Sequence, residues 1–273
     1  MIRLSGNQNP IIKEVRALKN KNTRDERGLF FIEGARFVAE ALKEKLEIRY
    51  IIVSETFSSA GGWGELLKKI AESSFNSYVV PDSLFDSISD TKTPQGILAV
   101  LDMKRKQLKD AAFAETIHGG LIVILDSIKD PGNMGTIIRT ADAAGCTAVI
   151  VPEGCVDVFN PKVLRSTMGS IFHVPVYHSS SITEAMNIVG DAGFLLCASH
   201  LEGSVSIYEA DLSGNVALII GSEAEGISSE TAENADILIR IPMKGRAESL
   251  NASVAAGVMI FEVMRQKING TKE

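Results

Sequence analysis

Cysteine is scarce in this chain. Cys146, Cys155 and Cys197 are odd in number, and none stands in a CxxC spacing. That argues against a disulfide framework and against a cysteine-held metal, and for thiols in a reduced interior. His118, His173, His178 and His200 also lack ligand-like spacing, so no metal is expected. Aromatic residues make up only 6 %, and Trp63 is the single tryptophan. The aromatic stacking motif of RRM-type RNA binders is therefore missing. No apolar run approaches the roughly 18 residues of a membrane span. The opening MIRLSGNQNPIIKEV has no long apolar stretch of the signal-peptide kind. A cytoplasmic protein with no membrane partner is the expectation.

Several signature loops are missing too. There is no G-x-x-x-x-G-K-[ST], no HExxH and no G-x-S-x-G. P-loop NTPase, zinc peptidase and α/β-hydrolase readings thus lose the residues their chemistry needs. Gly221-Ser222-Glu223-Ala224-Glu225-Gly226 follows an apolar strand as a dinucleotide loop would. It lacks the G-x-G-x-x-G order, and its two carboxylates would repel a pyrophosphate. A nicotinamide dehydrogenase is disfavoured.

What is present suits one large or two modest domains: 273 residues, 45 % of them hydrophobic. The net charge of −6 is uneven. Residues 1–110 hold 18 Lys and Arg against 15 Asp and Glu, whereas residues 111–273 hold 10 against 19. The basic excess is densest at Lys13, Arg16, Lys19, Lys21 and Arg24. Such a cluster is more commonly a solvated helix face; it also fits an electrostatic footprint for RNA phosphates.

Along the chain, strand signals at Leu29–Ile32, Tyr50–Val53, Tyr78–Val80 and Ile97–Leu101 alternate with helical ones, describing a small α/β domain. We place it at 1–104, with a linker or bridging helix over 105–118 and a second domain at 119–273. The second domain opens on LIVIL (Leu121–Leu125), a continuous apolar run suited to a strand buried on both faces of a parallel sheet. Strands at Thr147–Val151, Phe194–Ala198, Val216–Ile220 and Ile237–Ile241 alternate with helices, including one over Pro161–Met168. This indicates a doubly wound α/β domain, in which ligands sit outside the carboxyl ends of the strands. Three loops fall there: Asp126–Gly135, Gly221–Gly226 and Met243–Ser249. The closing helix, for which Ser249 can serve as N-cap, is apolar on more than one face between Ala252 and Val263. Its small Ala255, Ala256 and Gly257 would let a partner helix approach, which predicts a homodimer through the C-terminal domain. From these residues alone the chain binds an organic ligand, and its chemistry stays undetermined.

Three segments settle the family likeness. DSIKDPGNMGTIIRTADAAG (126–145) carries N-x-G-x-x-x-R at Asn133, Gly135 and Arg139. LIIGSEAEGIS (218–228) carries G-x-E-x-x-G at Gly221, Glu223 and Gly226, and IRIPMKGRAESLNASVAAG (239–257) carries I-P-M-x-G-x-x-x-S-L-N. Together, in this order and at strand ends, they resemble the three motifs of the SpoU (TrmH-like) RNA ribose 2′-O-methyltransferases over about 121–268. The N-terminal domain is similar in general pattern to the ribosomal-protein L30e-type substrate-binding domain that precedes it in many members.

The resemblance implies a Rossmann-like parallel sheet ending in a deep trefoil knot (the SPOUT type), an exception to the unknotted-chain rule. It implies S-adenosylmethionine as cofactor, held mainly by backbone at Gly221, Ile241 and Leu250, with Ala198, Ser199 and Met243 nearby. Catalytic roles would fall to Arg139, Asn133, Glu223, Ser249 and Asn251. Arg139 matches the arginine often proposed as general base. A guanidinium stays protonated in proteins, so it also suits a clamp for the phosphate beside the target ribose. A purely structural alternative pairs Arg139 with Asp126 or Glu223. Ser222 stands where the family often has Asn, and Glu225 where it has a neutral or basic residue. The expected substrate is structured RNA, 23S ribosomal RNA ahead of transfer RNA. The competing class is a non-catalytic RNA-binding or ribosome-assembly factor on the same fold.

Overall fold

A computed structural model describes residues 1–110, 113, 117, 119–201, 205–222 and 224–270. The chain divides into two compact units. The first comprises Met1–Lys104 and Phe159–Phe172, the second Arg105–Val158 and His173–Glu273.

The first unit is built on a five-stranded sheet of β1 (Ile2–Arg3), β2 (Leu29–Glu33), β3 (Ile48–Ser54), β4 (Asn76–Val80) and β5 (Ile97–Asp102), in the order β1-β4-β3-β5-β2. β5 runs antiparallel to both its neighbours, while β1, β4 and β3 are mutually parallel. The run ILAVL in β5 is buried on both faces, because strand side chains alternate. Ile97, Ala99 and Leu101 join a core with Phe37, Val38 and Ala41 of the Ala35–Lys43 helix and Leu66 and Ile70 of the Gly64–Glu72 helix. Leu98 and Val100 point the other way, into Ile12 and Val15 of the Pro10–Ala17 helix, Leu18 just after it, and Phe85 and Ile88 of the Asp82–Ile88 helix.

Two expectations change in this unit. The helix Pro161–Thr167 packs here and not with the second domain's core. Leu164 is buried in the first cluster, the Phe159 ring lies 4.8 Å from Phe30, and Arg165 pairs with Asp90 at 2.7 Å. Periodicity locates a helix but does not say which core receives it. Arg24 leaves the proposed RNA footprint: it is 2 % exposed, and its guanidinium donates to Leu18 O (2.9 Å) and Lys19 O (3.0 Å). It satisfies carbonyls at the end of the Pro10–Ala17 helix, where orphan acceptors favour a cation. Lys13, Lys19 and Lys21 are exposed, and half-buried Arg16 is held by Asn7 and Ser87.

The second unit carries an eight-stranded sheet: β6 (Lys106–Gln107), β7 (Leu121–Asp126), β8 (Ala148–Pro152), β9 (Val176–Ser179), β10 (Leu195–Ser199), β11 (Val205–Ser206), β12 (Val216–Gly221) and β13 (Ile237–Arg240). Their order is β11-β13-β10-β12-β7-β8-β9-β6, and all neighbours are parallel. LIVIL becomes the buried β7 at the centre, as a run without polar alternation should. The helix Ile182–Asp191 packs Ala185, Met186 and Val189 on one face, against Ile122, Ile124 and Ile150. The helices Pro131–Ala143 and Ala252–Gly270 pack on each other and on β8 and β12, respectively. The stretch read as a linker contributes the edge strand β6, and its Phe113 is buried against Tyr177 at 5.0 Å between ring centres. Residues 111, 112, 114–116 and 118 of that stretch lie outside the described residues. Among the described residues no helix is long and apolar enough to cross a membrane.

Candidate active site

β10, β12 and β13 end on the same side of the sheet, where their carboxyl ends open into a cleft of about 800 Å3. That is the size and place at which α/β sheets hold organic ligands. Ser199 comes from β10, Ile220 and Gly221 from β12, Arg240 and Ile241 from the end of β13. Beyond Pro242, which ends the strand by removing an N–H donor, Met243, Glu248, Ser249 and Leu250 form the opposite wall. Ala252, Ala255 and Met259 of the C-terminal helix close the apolar side.

Gly221 is glycine because of what crosses it. A Cβ there would collide with the backbone of Gly226 and Ile227, which has no flexible end to yield. The loop folds back on Gly221 through Ser222 N to Gly226 O (2.9 Å) and Gly226 N to Ser222 O (3.0 Å). Ser222 Oγ also accepts from Glu225 N at 3.2 Å. These bonds hold the main chain of the cleft wall at Ser222, Glu225 and Gly226.

Asp130 caps the Pro131–Ala143 helix by accepting from Asn133 N at 2.8 Å, and Pro131 takes the first-turn position where a missing N–H costs nothing. Asn133 is thereby buried in the first turn, and its Oδ1 accepts from Asn251 Nδ2 at 3.0 Å. Asn251 lies between Leu250 and Ala252 of the cleft wall. Its own Oδ1 accepts from Ser253 N (3.0 Å) and Val254 N (3.3 Å). Asn251 is thus the cap of the C-terminal helix, and Ser249, expected in that role, lies two residues too early and lines the cleft instead.

The expected cofactor residues Ser199, Gly221, Ile241, Met243 and Leu250 all line the cleft; Ala198 is fully buried behind Ser199 and does not. Arg139 is exposed on the Pro131–Ala143 helix, with no hydrogen bond or ion pair to the described residues. No hydrogen bond or ion pair joins it to Asp126, whose Oδ2 accepts from Ser228 and Thr231. Glu223 lies outside the described residues. Arg240, His200, Ala255 and Met259 were missed as cleft residues, whereas Glu248 falls in the Met243–Ser249 loop expected at the ligand end. The spacing of Ala252, Ala255 and Met259 marks an apolar helix face, but nothing in it separates a ligand wall from core. Burial pushes the thiols of Cys146 and Cys197 up to about 12 and that of Cys155 up to about 11. None is a thiolate nucleophile at neutral pH.

Fold and cleft together define a parallel-sheet α/β domain with an organic-ligand cleft at its strand ends. Comparison with known proteins makes this specific. Residues 120–261 match the SpoU rRNA Methylase family and residues 9–99 the MRM3-like substrate binding domain. The chain belongs to the SpoU methylase family. It is 32 % identical to the 23S rRNA (guanosine(2553)-2′-O)-methyltransferase RlmP of Bacillus subtilis, across 96 % of this chain and 99 % of that one. The AdoMet-bound rRNA methyltransferase of Sinorhizobium meliloti superposes with a TM-score of 0.84 at 33 % identity, covering 96 % of this chain and 97 % of the other. AviRb of Streptomyces viridochromogenes with AdoMet gives 0.84 at 29 %, covering 96 % and 100 %.

Proposed function

We propose that this protein transfers a methyl group from S-adenosylmethionine to a ribose 2′-hydroxyl of ribosomal RNA, 23S above all. The observation that carries this reading is the 3.0 Å contact between Asn133 and Asn251 beside the cleft. Two polar residues from separate motifs meet beside the cleft, and that meeting supports a role for the pair in holding the target ribose. The cleft suits the cofactor: apolar Ile220, Ile241, Leu250 and Met259 cover ring faces, while Glu225 and Glu248 offer negative charge to a cationic ligand. The cofactor supplies an electrophilic methyl on a sulfonium whose charge is lost on transfer, a change favoured out of bulk water.

The chain's own residues then position and neutralise. Asn133, fixed by its helix cap and by Asn251, orients the ribose; Ser249 lies on the cleft wall within the same segment. Arg139, free of intrachain partners among the described residues, clamps the phosphate beside the ribose. Residues 1–104 serve as the RNA-binding part, with Lys13, Lys19 and Lys21 contacting phosphates, and 119–273 as the methyltransferase part. The trefoil knot belongs to the same reading: β13 pairs between β10 and β11, and the chain beyond it forms the cleft wall before entering the last helix.

We also infer a homodimer, with a corrected surface. Ala256 (0 % exposed) and Met259 (2 %) face the chain's own core, and Gly257 sits by Thr140 of the neighbouring helix. The small residues allow that internal packing. The exposed large apolar residues of this helix are Val254, Phe261 and Ile268.

Calorimetry on the full chain tests the reading, together with radiolabel transfer to 23S rRNA and to transfer RNA. Binding of S-adenosylmethionine and label in the 2′-position of 23S rRNA are expected. A folded protein that binds no S-adenosylmethionine would overturn it; label confined to transfer RNA would move the substrate.

A further inference from the structure

Asp126 is a buried carboxylate that the mechanism above does not use. It ends β7 directly opposite Gly221 of β12, and it is 3 % exposed. One of its oxygens, Oδ2, accepts two bonds, from Ser228 N at 2.7 Å and from Thr231 Oγ1 at 2.7 Å. Thr231 is fully buried. Its hydroxyl in turn accepts from Ser228 Oγ at 2.9 Å, and its N–H donates to Ser228 Oγ at 3.2 Å. The far end of the 222–228 loop is thereby tied to the strand that leads into Asn133.

The main chain of Asp126 works in the other direction. Ser127 takes a left-handed conformation, φ 59°, uncommon for a residue with a side chain. This turns the chain away toward Asp130, whose side chain caps the helix bearing Asn133. So the Asp126 side chain anchors Ser228 and Thr231, just past Gly226 of the cleft wall, and the turn toward the Asn133–Asn251 pair starts at the next residue, Ser127. A neutral acceptor could take the same two bonds without burying a charge, which is costly away from water. Charge-assisted bonds are shorter and stiffer, which matters most where a loop must be held to a fraction of an ångström.

We propose that Asp126, acting through Thr231 and Ser228, is a positioning residue of the methyl transfer that holds the cofactor wall in register with the Asn133–Asn251 pair. This rests on the methyltransferase reading above. Full-length Thr231→Val, Thr231→Ser and Asp126→Asn separate positioning from plain stability. Thr231→Val is expected to weaken S-adenosylmethionine binding by about tenfold, the scale of one bond to a charged group. It should lower kcat while leaving KM for RNA within about twofold, because the RNA-binding residues are untouched. Thr231→Ser keeps the hydroxyl and should restore both constants. Asp126→Asn keeps the volume, loses the charge and should fall between the two; it decides the matter if Thr231→Val does not fold. Wild-type binding and turnover in Thr231→Val or Asp126→Asn, with only a lower unfolding midpoint, would reduce Asp126 to a fold staple and overturn the proposal. Failure of the methyltransferase reading itself would show differently, as absence of cofactor binding in the parent protein.

Discussion

Asn251 performs two tasks with two different atoms. Its Oδ1 holds the first amides of the C-terminal helix, and its Nδ2 donates to Asn133. The tasks are separable by substitution. Asn251→Asp keeps the acceptor and places a negative charge at a helix N-terminus, which is favourable. It also turns an oxygen toward Asn133 Oδ1 in place of a donor. Asn251→Ala loses both functions, with a stability cost of about 1 kcal/mol from the cap alone. Thermal unfolding should therefore place Asn251→Asp at or above Asn251→Ala, while methyl transfer collapses in both. Full turnover in Asn251→Asp would mean the Asn133 contact is idle. Both asparagines could be read in the sequence as polar residues in strand-end loops, and the family motifs flag them. Their meeting across 118 positions could not be read locally. The choice of Asn251 over Ser249 as cap was equally hidden, since both residue types cap well and the helix start is set by tertiary packing.

Elements with long apolar runs were legible. Ile97–Leu101, Leu121–Leu125 and Val216–Ile220 are strands because their neighbours bury both faces. The two-residue strands β1, β6 and β11 were not legible, because their extended form is imposed by the partner strand, not by their own pattern. The Lys21–Arg27 helix shows a subtler limit. Lys21 and Arg24 are three apart in a basic run and look like one solvated face. The structure sends Arg24 inward, where one guanidinium nitrogen, Nη1, donates to two carbonyls at once. Arg24→Ala should therefore destabilise the protein by roughly 2–3 kcal/mol, since it leaves two carbonyls without their charged donor. Lys21→Ala, at an exposed site, should stay within about 0.5 kcal/mol. Urea denaturation followed by far-UV circular dichroism compares the two directly, and equal midpoints would return Arg24 to the RNA footprint.

At the scale of the whole molecule, the C-terminal helix has one face more than its own chain covers. Ala252, Ala256, Met259, Ile260 and Val263 are buried, yet Val254 is 51 % exposed, Phe261 43 % and Ile268 50 %. The three exposed residues recur every seven positions, two helical turns apart, and so form a single line along the helix. Half-exposed Val258 lies between the first two, and Arg265 continues the line with its charge held by Glu262 at 2.7 Å. An uncovered apolar stripe of this kind fits a second copy related by a twofold axis, where the stripe meets itself. Light scattering on the full chain should give a dimer. Phe261→Glu places a carboxylate on the stripe and should give a folded monomer. Met259→Glu, at a site facing the chain's own core, should unfold the second unit instead. Exposed Arg139 lies on the helix that packs against the C-terminal one, so a partner copy would come close to the proposed phosphate clamp. Loss of turnover in the Phe261→Glu monomer, with S-adenosylmethionine still bound, would show that pairing completes the site. An active wild-type monomer at working concentration would sink the dimer altogether, and the stripe would then need some other cover.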